Sequence, residues 1–335
     1  MEEKQMNKPR VGCGSGFLVL GLVLVTVIAA VSCGLVVNAD RAGSTQLCVK
    51  AEAQPVSSFS GYGIASLQLL SADEGWAMAS QGNGNYFLHY KDGQWSRLRT
   101  PVQLGLYRIH MLSADEGWAV GRQHFFHYIN GCWKDGGRVG GFSLSYKPMY
   151  GVQLVSATEG WAVGDISAHY MNGTWTEVTS LSNVGLNDVF MLSAEEGWAV
   201  GSRMYHYQNG SWEQVNANMQ LRSVFMTSVG EGWAVGTGGS MLHYHDGSWQ
   251  DVSNSGYGDL YSIYMSSADE GWAVGGVYSS SSIMLHYSNG QWSKVSSPTT
   301  QNLASVWMLS RDEGWAAGAG VVLHYTSGSW RVIEP

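Results

Sequence analysis

Leu221-Arg222-Ser223-Val224-Phe225-Met226, then Glu231-Gly232-Trp233-Ala234-Val235-Gly236, then Leu242-His243-Tyr244-His245-Asp246-Gly247-Ser248-Trp249 follow one another in a single short stretch. The first run interleaves apolar and polar residues and reads as a strand, A, half-buried on a sheet. A polar corner precedes Glu231, and Trp233-Ala234-Val235-Gly236 reads as a second strand, B. Leu242-His243-Tyr244 gives a third, C. Asp246-Gly247 supplies the two residues that accept positive φ in a type I′ turn, so Trp249 lies on a return strand, D. A two-residue hairpin of that type sets Tyr244 directly opposite Trp249, where side chains lie closest.

The same unit recurs along the chain. Glu-Gly-Trp-Ala occurs seven times, with its tryptophan at Trp76, Trp118, Trp161, Trp198, Trp233, Trp272 and Trp315, at gaps of 42, 43, 37, 35, 39 and 43 residues. Such a period holds four short strands with their turns, the content of one propeller blade. In every unit a tyrosine is followed five residues later by a tryptophan: Tyr90 and Trp95, Tyr128 and Trp133, Tyr170 and Trp175, Tyr207 and Trp212, Tyr244 and Trp249, Tyr287 and Trp292, Tyr325 and Trp330. Each of these aromatic clasps adds about 0.5–1 kcal/mol beyond simple burial. The sequence therefore predicts an all-β protein, a seven-bladed β-propeller of four-stranded antiparallel blades over residues 61–335. Because the phase opens on strand A and ends on strand D, ring closure is expected from packing of the last blade on the first, without strand exchange.

Composition agrees with short strands and tight turns: 44 Gly, 15 Trp and 17 Tyr stand against 6 Pro in 335 residues. A hydrophobic content of 44% with 13% charged residues is ample for a folded core. The net charge of −8 argues against nucleic acid as a partner, since phosphate binding needs a basic surface.

Residues 11–39 carry no charge, and from Phe17 to Val37 are almost entirely Leu, Val, Ile, Ala and Gly. As a helix that run reaches roughly 30 Å, the thickness of a bilayer core, so one N-terminal transmembrane helix is predicted. Lys4, Lys8 and Arg10 place the short tail 1–10 in the cytoplasm and the propeller outside it, with residues 40–60 as a linker. Val37-Asn38-Ala39 and Ala30-Val31-Ser32-Cys33 also leave open a secreted protein or a lipoprotein. Cys13 and Cys33 fall in or beside the apolar span; an oxidising compartment would allow Cys48 and Cys132 to pair, which the sequence leaves open.

The histidine of Leu-His-Tyr and the glutamate of Glu-Gly-Trp occur once per blade. Equivalent stations around a ring are too dispersed for a shared metal shell, so the histidines are read as packing residues, the glutamates as braces of the A–B corner, and no metal or cofactor is expected. Propeller topology puts the A–B corners and C–D turns on one face and the B–C and D–A connections on the other. The repeated residues crowd the first, here the corner face. The irregular ones crowd the second, and selective binding needs individuality. Arg138, Tyr146, Lys147, Tyr150, Tyr257 and Tyr278 are the candidate ligand-binding residues of that irregular face.

The repeat Glu-Gly-Trp-Ala-Val-Gly, a spacer, and a strand closing on Asp/Asn-Gly-x-Trp resembles the bacterial-neuraminidase (BNR, sialidase-like) propeller repeats, particularly the photosystem II assembly and stability factor group, over residues 61–335. The ending Tyr-x-Asn-Gly-x-Trp is shorter than the Asp-box of that group. The resemblance implies the propeller fold. True sialidases have six blades, an arginine cluster and a tyrosine–carboxylate nucleophile pair, and none of that triad maps onto this chain.

No Gly-x-Ser-x-Gly elbow, Cys-x-x-Cys pair, phosphate loop or His-Glu-x-x-His motif is present. The reading is a monomeric, membrane-anchored, non-enzymatic binding, scaffold or assembly module for a protein or glycan. The alternative is a glycoside hydrolase or lyase with carboxylates drawn from Asp165, Glu177, Asp188 or Asp259.

Overall fold

The computed structural model describes residues 53–100, 105–122, 124–139, 147–277 and 281–335. The apolar segment 11–39 expected to span a membrane, most of the expected linker, Cys13, Cys33, Cys48, Tyr146 and Tyr278 lie outside the described residues. Among the described residues no helix is long and apolar enough to cross a membrane.

Seven antiparallel sheets follow one another along the chain, each with its strands in sequential order: blade 1 (63–99), blade 2 (106–135), blade 3 (149–177), blade 4 (186–215), blade 5 (221–251), blade 6 (259–294) and blade 7 (303–332). Strand A of each blade packs on strand A of the next, and that of blade 7 packs on that of blade 1, so the ring is closed with A innermost.

The hairpins form as their sequence dictates. Asp246 and Gly247 have φ of 52° and 76°, and the six equivalent turns share this left-handed pair, with Ser327 and Gly328 at 53° and 77° in blade 7. Tyr244 pairs with Trp249 one step from the turn's closing pair, and the other six clasps keep the same register. All seven rings meet at centroid distances of 5.0–5.1 Å.

The core lies between blades rather than inside one. Trp233 of blade 5 tilts onto Tyr287 at 4.9 Å and meets Trp292 edge-on at 5.4 Å, both in blade 6. Trp76, Trp118, Trp161, Trp198 and Trp272 each reach the next blade's clasp in the same way. Behind each tryptophan its own blade supplies a histidine: His243 stacks on Trp233 at 3.9 Å and 9°, and its Nε2 lies 2.5 Å from the corner glutamate Glu231. The pairing repeats in all seven blades, from Glu74 with His89 to Glu313 with His324. Histidine and corner glutamate thus work as one brace that fixes the plane of the strand B tryptophan.

The closing seam differs. Among the described residues no strand is exchanged, but Gln54–Pro55 pairs with strand D of blade 1, and Val56, Phe59 and Tyr62 are buried there. The end of the stretch read as a linker is therefore part of the propeller. Its lack of repeat pattern concealed this. Trp315 reaches Tyr90 at 6.2 Å, a longer contact than at any other seam, while Phe59 takes the edge-on place against Trp95 at 5.9 Å. The Gly320 N–H donates to the Tyr62 carbonyl (2.7 Å), and the Leu67 N–H to the Ser305 hydroxyl (3.1 Å). Cys132 is disulfide-bonded.

Candidate functional site: the two mouths of the axial channel

Strand A carries the residues nearest the axis, and its register sorts them into layers. One layer is Ser66, Ser223, Ser262 and Ser305 in blades 1, 5, 6 and 7, each hydroxyl accepting an N–H from the next blade's strand A. Blades 2, 3 and 4 break the pattern with Arg108, Gly151 and Asp188. Arg108 of blade 2 reaches past blade 3 to Asp188 of blade 4, Nη2 to Oδ1 at 2.5 Å. Gly151 leaves the space: a Cβ there would stand 3.0 Å from the Asp188 backbone. Asp188 also accepts from the Ser223 hydroxyl (2.9 Å) and the Val224 N–H (3.2 Å), so its charge is fully held.

Two residues on, towards the corner face, the layer reads Gln68, His110, Gln153, Phe190, Phe225, Tyr264 and Trp307. Gln68 and Gln153 each grip the next blade's backbone with both ends of the amide. His110 Nδ1 accepts from the Leu154 N–H at 3.3 Å. Burial, and then the neighbouring Arg108 guanidinium, pushes its pKa down to about 4. A histidine held neutral below its ordinary value of 6.5 costs stability as pH falls from 6.5 towards 4, because the unfolded chain takes up a proton that the folded chain refuses. His110→Gln, which installs the residue of blades 1 and 3, is expected to flatten that part of the profile. Urea unfolding of both proteins at intervals across the window checks it: parallel curves would contradict the assignment.

The irregular mouth gathers a different set. Tyr107 and Tyr150, at the same register in blades 2 and 3, meet with ring centroids 5.1 Å apart. Burial and then the Asp165 carboxylate raise the Tyr150 pKa, partly offset by Arg222 and Arg122, so its hydroxyl stays a donor. Gly105 makes room: a Cβ there would stand 3.1 Å from the Tyr107 hydroxyl and 3.3 Å from Arg122 Nε.

Of the six sequence candidates, Tyr150 stands at this mouth, and Tyr146 and Tyr278 lie outside the described residues. Lys147 is half-buried just ahead of blade 3. Arg138 is exposed beside His124 of blade 2 and helps lower that histidine's pKa after burial does. Tyr257 packs between blades 5 and 6 and donates its hydroxyl to the Trp292 carbonyl at 3.0 Å, so its polar group serves the scaffold. Sequence reasoning looked in the loops and passed over Tyr107, Arg122 and Arg222. The signal for Tyr107 and Arg222 was the residue after the first apolar residue of strand A, which is Ala in blades 1 and 7 but Tyr, Tyr, Asn, Arg and Tyr in blades 2 to 6, whereas Arg122 follows strand B and carries no such signal. Among the proposed carboxylates, Asp188 is held by Arg108, Glu177 accepts from Ser182 Oγ (3.0 Å), and Asp259 accepts from the Gly238 N–H (2.7 Å).

The fold and these two mouths define the class, a seven-bladed β-propeller with an individual surface at each end of its axis. The sequence matches no protein-family model and no curated protein. Solved structures are similar to it. YCF48 bound to a D1 peptide aligns with a TM-score of 0.64 at 18% identity over 82% of this chain and 96% of that one. YCF48 from Cyanidioschyzon merolae gives 0.60 at 15%, over 85% and 99%. Virginiamycin B lyase from Staphylococcus aureus gives 0.67 at 11%, over 82% and 98%. At such identities the likeness shows the fold alone.

Proposed function

We propose that this propeller is a non-enzymatic binding and scaffold module that holds a protein ligand at its irregular mouth, outside the cytoplasm and tethered by the N-terminal apolar segment. The observation that carries the reading is the tilted Tyr107–Tyr150 ring pair flanked by Arg122, Arg222 and Asp165. Tyrosine and arginine are the residues on which protein interfaces concentrate their binding energy, and a closed ring presents them without ordering cost. The solved propeller carrying a D1 peptide supports a peptide as the kind of ligand such a ring takes. Asp188, Glu177 and Asp259 are engaged within the scaffold, which weighs against the hydrolase alternative. The resemblance of the repeat to the assembly-factor group of sialidase-like propellers points the same way.

The test is affinity selection of a random peptide library on the full-length protein, followed by titration of the selected peptides. Tyr107→Ala/Tyr150→Ala is expected to lose at least about tenfold in affinity, on the order of 1.4 kcal/mol, while its melting temperature stays within a few degrees. Selected peptides that bind the double variant unchanged would overturn the proposal.

A further inference from the structure

The layer nearest the corner face is divided in two. Blades 1 to 3 carry Gln68, His110 and Gln153, whose polar groups bond the neighbouring backbone. Blades 4 to 7 carry Phe190, Phe225, Tyr264 and Trp307, which touch in series at centroid distances of 4.7, 4.7 and 4.9 Å. These four rings are half-buried, and they line one side of a cavity of about 300 Å³ on the axis. Glutamine and histidine close the ring in three blades, so closure does not require aromatic rings in the other four. An arc of apolar faces turned towards a cavity is surface left to be covered by something else.

The surroundings select the occupant. Tyr264 also lines a groove of about 600 Å³ that runs out between the corners of blades 6 and 7, with Ser266, Glu270 and Arg311 along it. Ser266 Oγ is buried there without a hydrogen-bond partner among the described residues, an unusual condition for a polar atom. Arg311 replaces the alanine that five blades carry at the same corner, and its guanidinium lies 3.2 Å from Glu270. A sugar ring would ask the cavity for many free donors and acceptors, yet the amides of Gln68 and Gln153 have both ends bonded. A flat apolar group asks only for the arc. A chain leading away from that group would meet the orphan hydroxyl and the paired charges of the groove.

We propose that the corner face is a second binding site, in which a peptide segment of a partner protein inserts one aromatic side chain against Phe190, Phe225, Tyr264 and Trp307 and lays its backbone in the groove past Ser266. The site is on the opposite mouth from the Tyr107–Tyr150 pair and stands whether or not that pair binds a ligand. Occupied at both mouths, the ring would bridge two chains.

The experiment uses the full-length protein and two libraries of capped octapeptides with random flanks, one fixed as Trp and one as Ala at the fourth position, with N-acetyl-tryptophanamide as a small-molecule control. Phe225→Gln/Trp307→Gln installs residues that this register already carries in blades 1 and 3, and a thermal melt confirms folding. The expected result is retention of the Trp library at least tenfold above the Ala library, lost in the double glutamine variant and kept in Tyr107→Ala/Tyr150→Ala. Ser266→Ala is expected to weaken the retained peptides while leaving N-acetyl-tryptophanamide binding unchanged. Equal retention of both libraries, or full retention by the glutamine variant, would overturn the proposal. So would N-acetyl-tryptophanamide binding as tightly as the peptides, which would make the socket one for free aromatic compounds.

Discussion

Trp315→Ala is expected to remove about 4 kcal/mol of folding stability and lower the melting temperature by about 10 °C. Trp315 is 1% exposed, stacks on His324 at 4.0 Å and joins the cluster shared with Ile64, Leu67 and Trp95 across the closing seam. The change deletes the indole and leaves a void that the rigid ring cannot collapse to fill. It also strikes where no exchanged strand among the described residues ties the blades, so the seam depends on this cluster, the hydrogen bonds between blades 7 and 1, and the segment from Gln54 to Tyr62. Limited proteolysis should first nick the variant in that segment. A denaturation midpoint within experimental scatter of the wild type would show that the seam does not rest on Trp315.

Gly236→Ala is expected to cost about 3 kcal/mol, against about 1 kcal/mol for the hairpin change Gly247→Ala. Strand A carries a bulge between Leu221 and Ser223, opposite Gly236, which brings the Gln220 carbonyl over the glycine. A Cβ on Gly236 would lie 2.0 Å from that oxygen, so backbone must move. Gly121, Gly164, Gly201, Gly275 and Gly318 stand in the same relation to the bulge of their own blades, with backbone oxygens at 1.9–2.2 Å. Blade 1 carries Ala79 at this position, opposite a bulge between Ile64 and Ser66, and its strands run on to pair Gly63 with Ser80, as those of blade 6 run on to pair Asp259 with Gly276. By contrast nothing stands within 4 Å of a Cβ on Gly247, and only its φ of +76° is strained. Chemical denaturation of the two variants gives the comparison, and equal losses would refute the steric account.

The repeat was legible because period and turn chemistry are local. Asp246-Gly247 fixes a two-residue turn, the turn fixes the register, and the register alone brings Tyr244 to Trp249. What Trp233 touches was not legible, since its partners Tyr287 and Trp292 belong to the next blade and no local rule gives the angle between blades. Phe59 escaped for the opposite reason: it has no counterpart in the other units, so a search for recurrence stopped short of it. The candidate site suffered most. The loops vary most in sequence, yet the informative variation sits inside strand A. Three register positions there depart from the repeat, giving the Tyr107–Tyr150 pair, the Arg108–Asp188 bridge over Gly151, and the arc from Phe190 to Trp307. A strand residue that departs from its equivalents in the other blades is a sharper signal than a loop residue that has no equivalents.

As the proposed binding module, the ring retains ligands and does not transform them. The most direct test of this is to incubate the full-length protein with peptide and glycan libraries and to weigh the retained and released fractions by mass spectrometry. The account predicts peptides held at the two mouths and recovered with unchanged masses, each population lost in its own variant, Tyr107→Ala/Tyr150→Ala or Phe225→Gln/Trp307→Gln. Retention of no peptide, or recovery of a glycan or peptide cleaved or eliminated in proportion to enzyme and time, would contradict it.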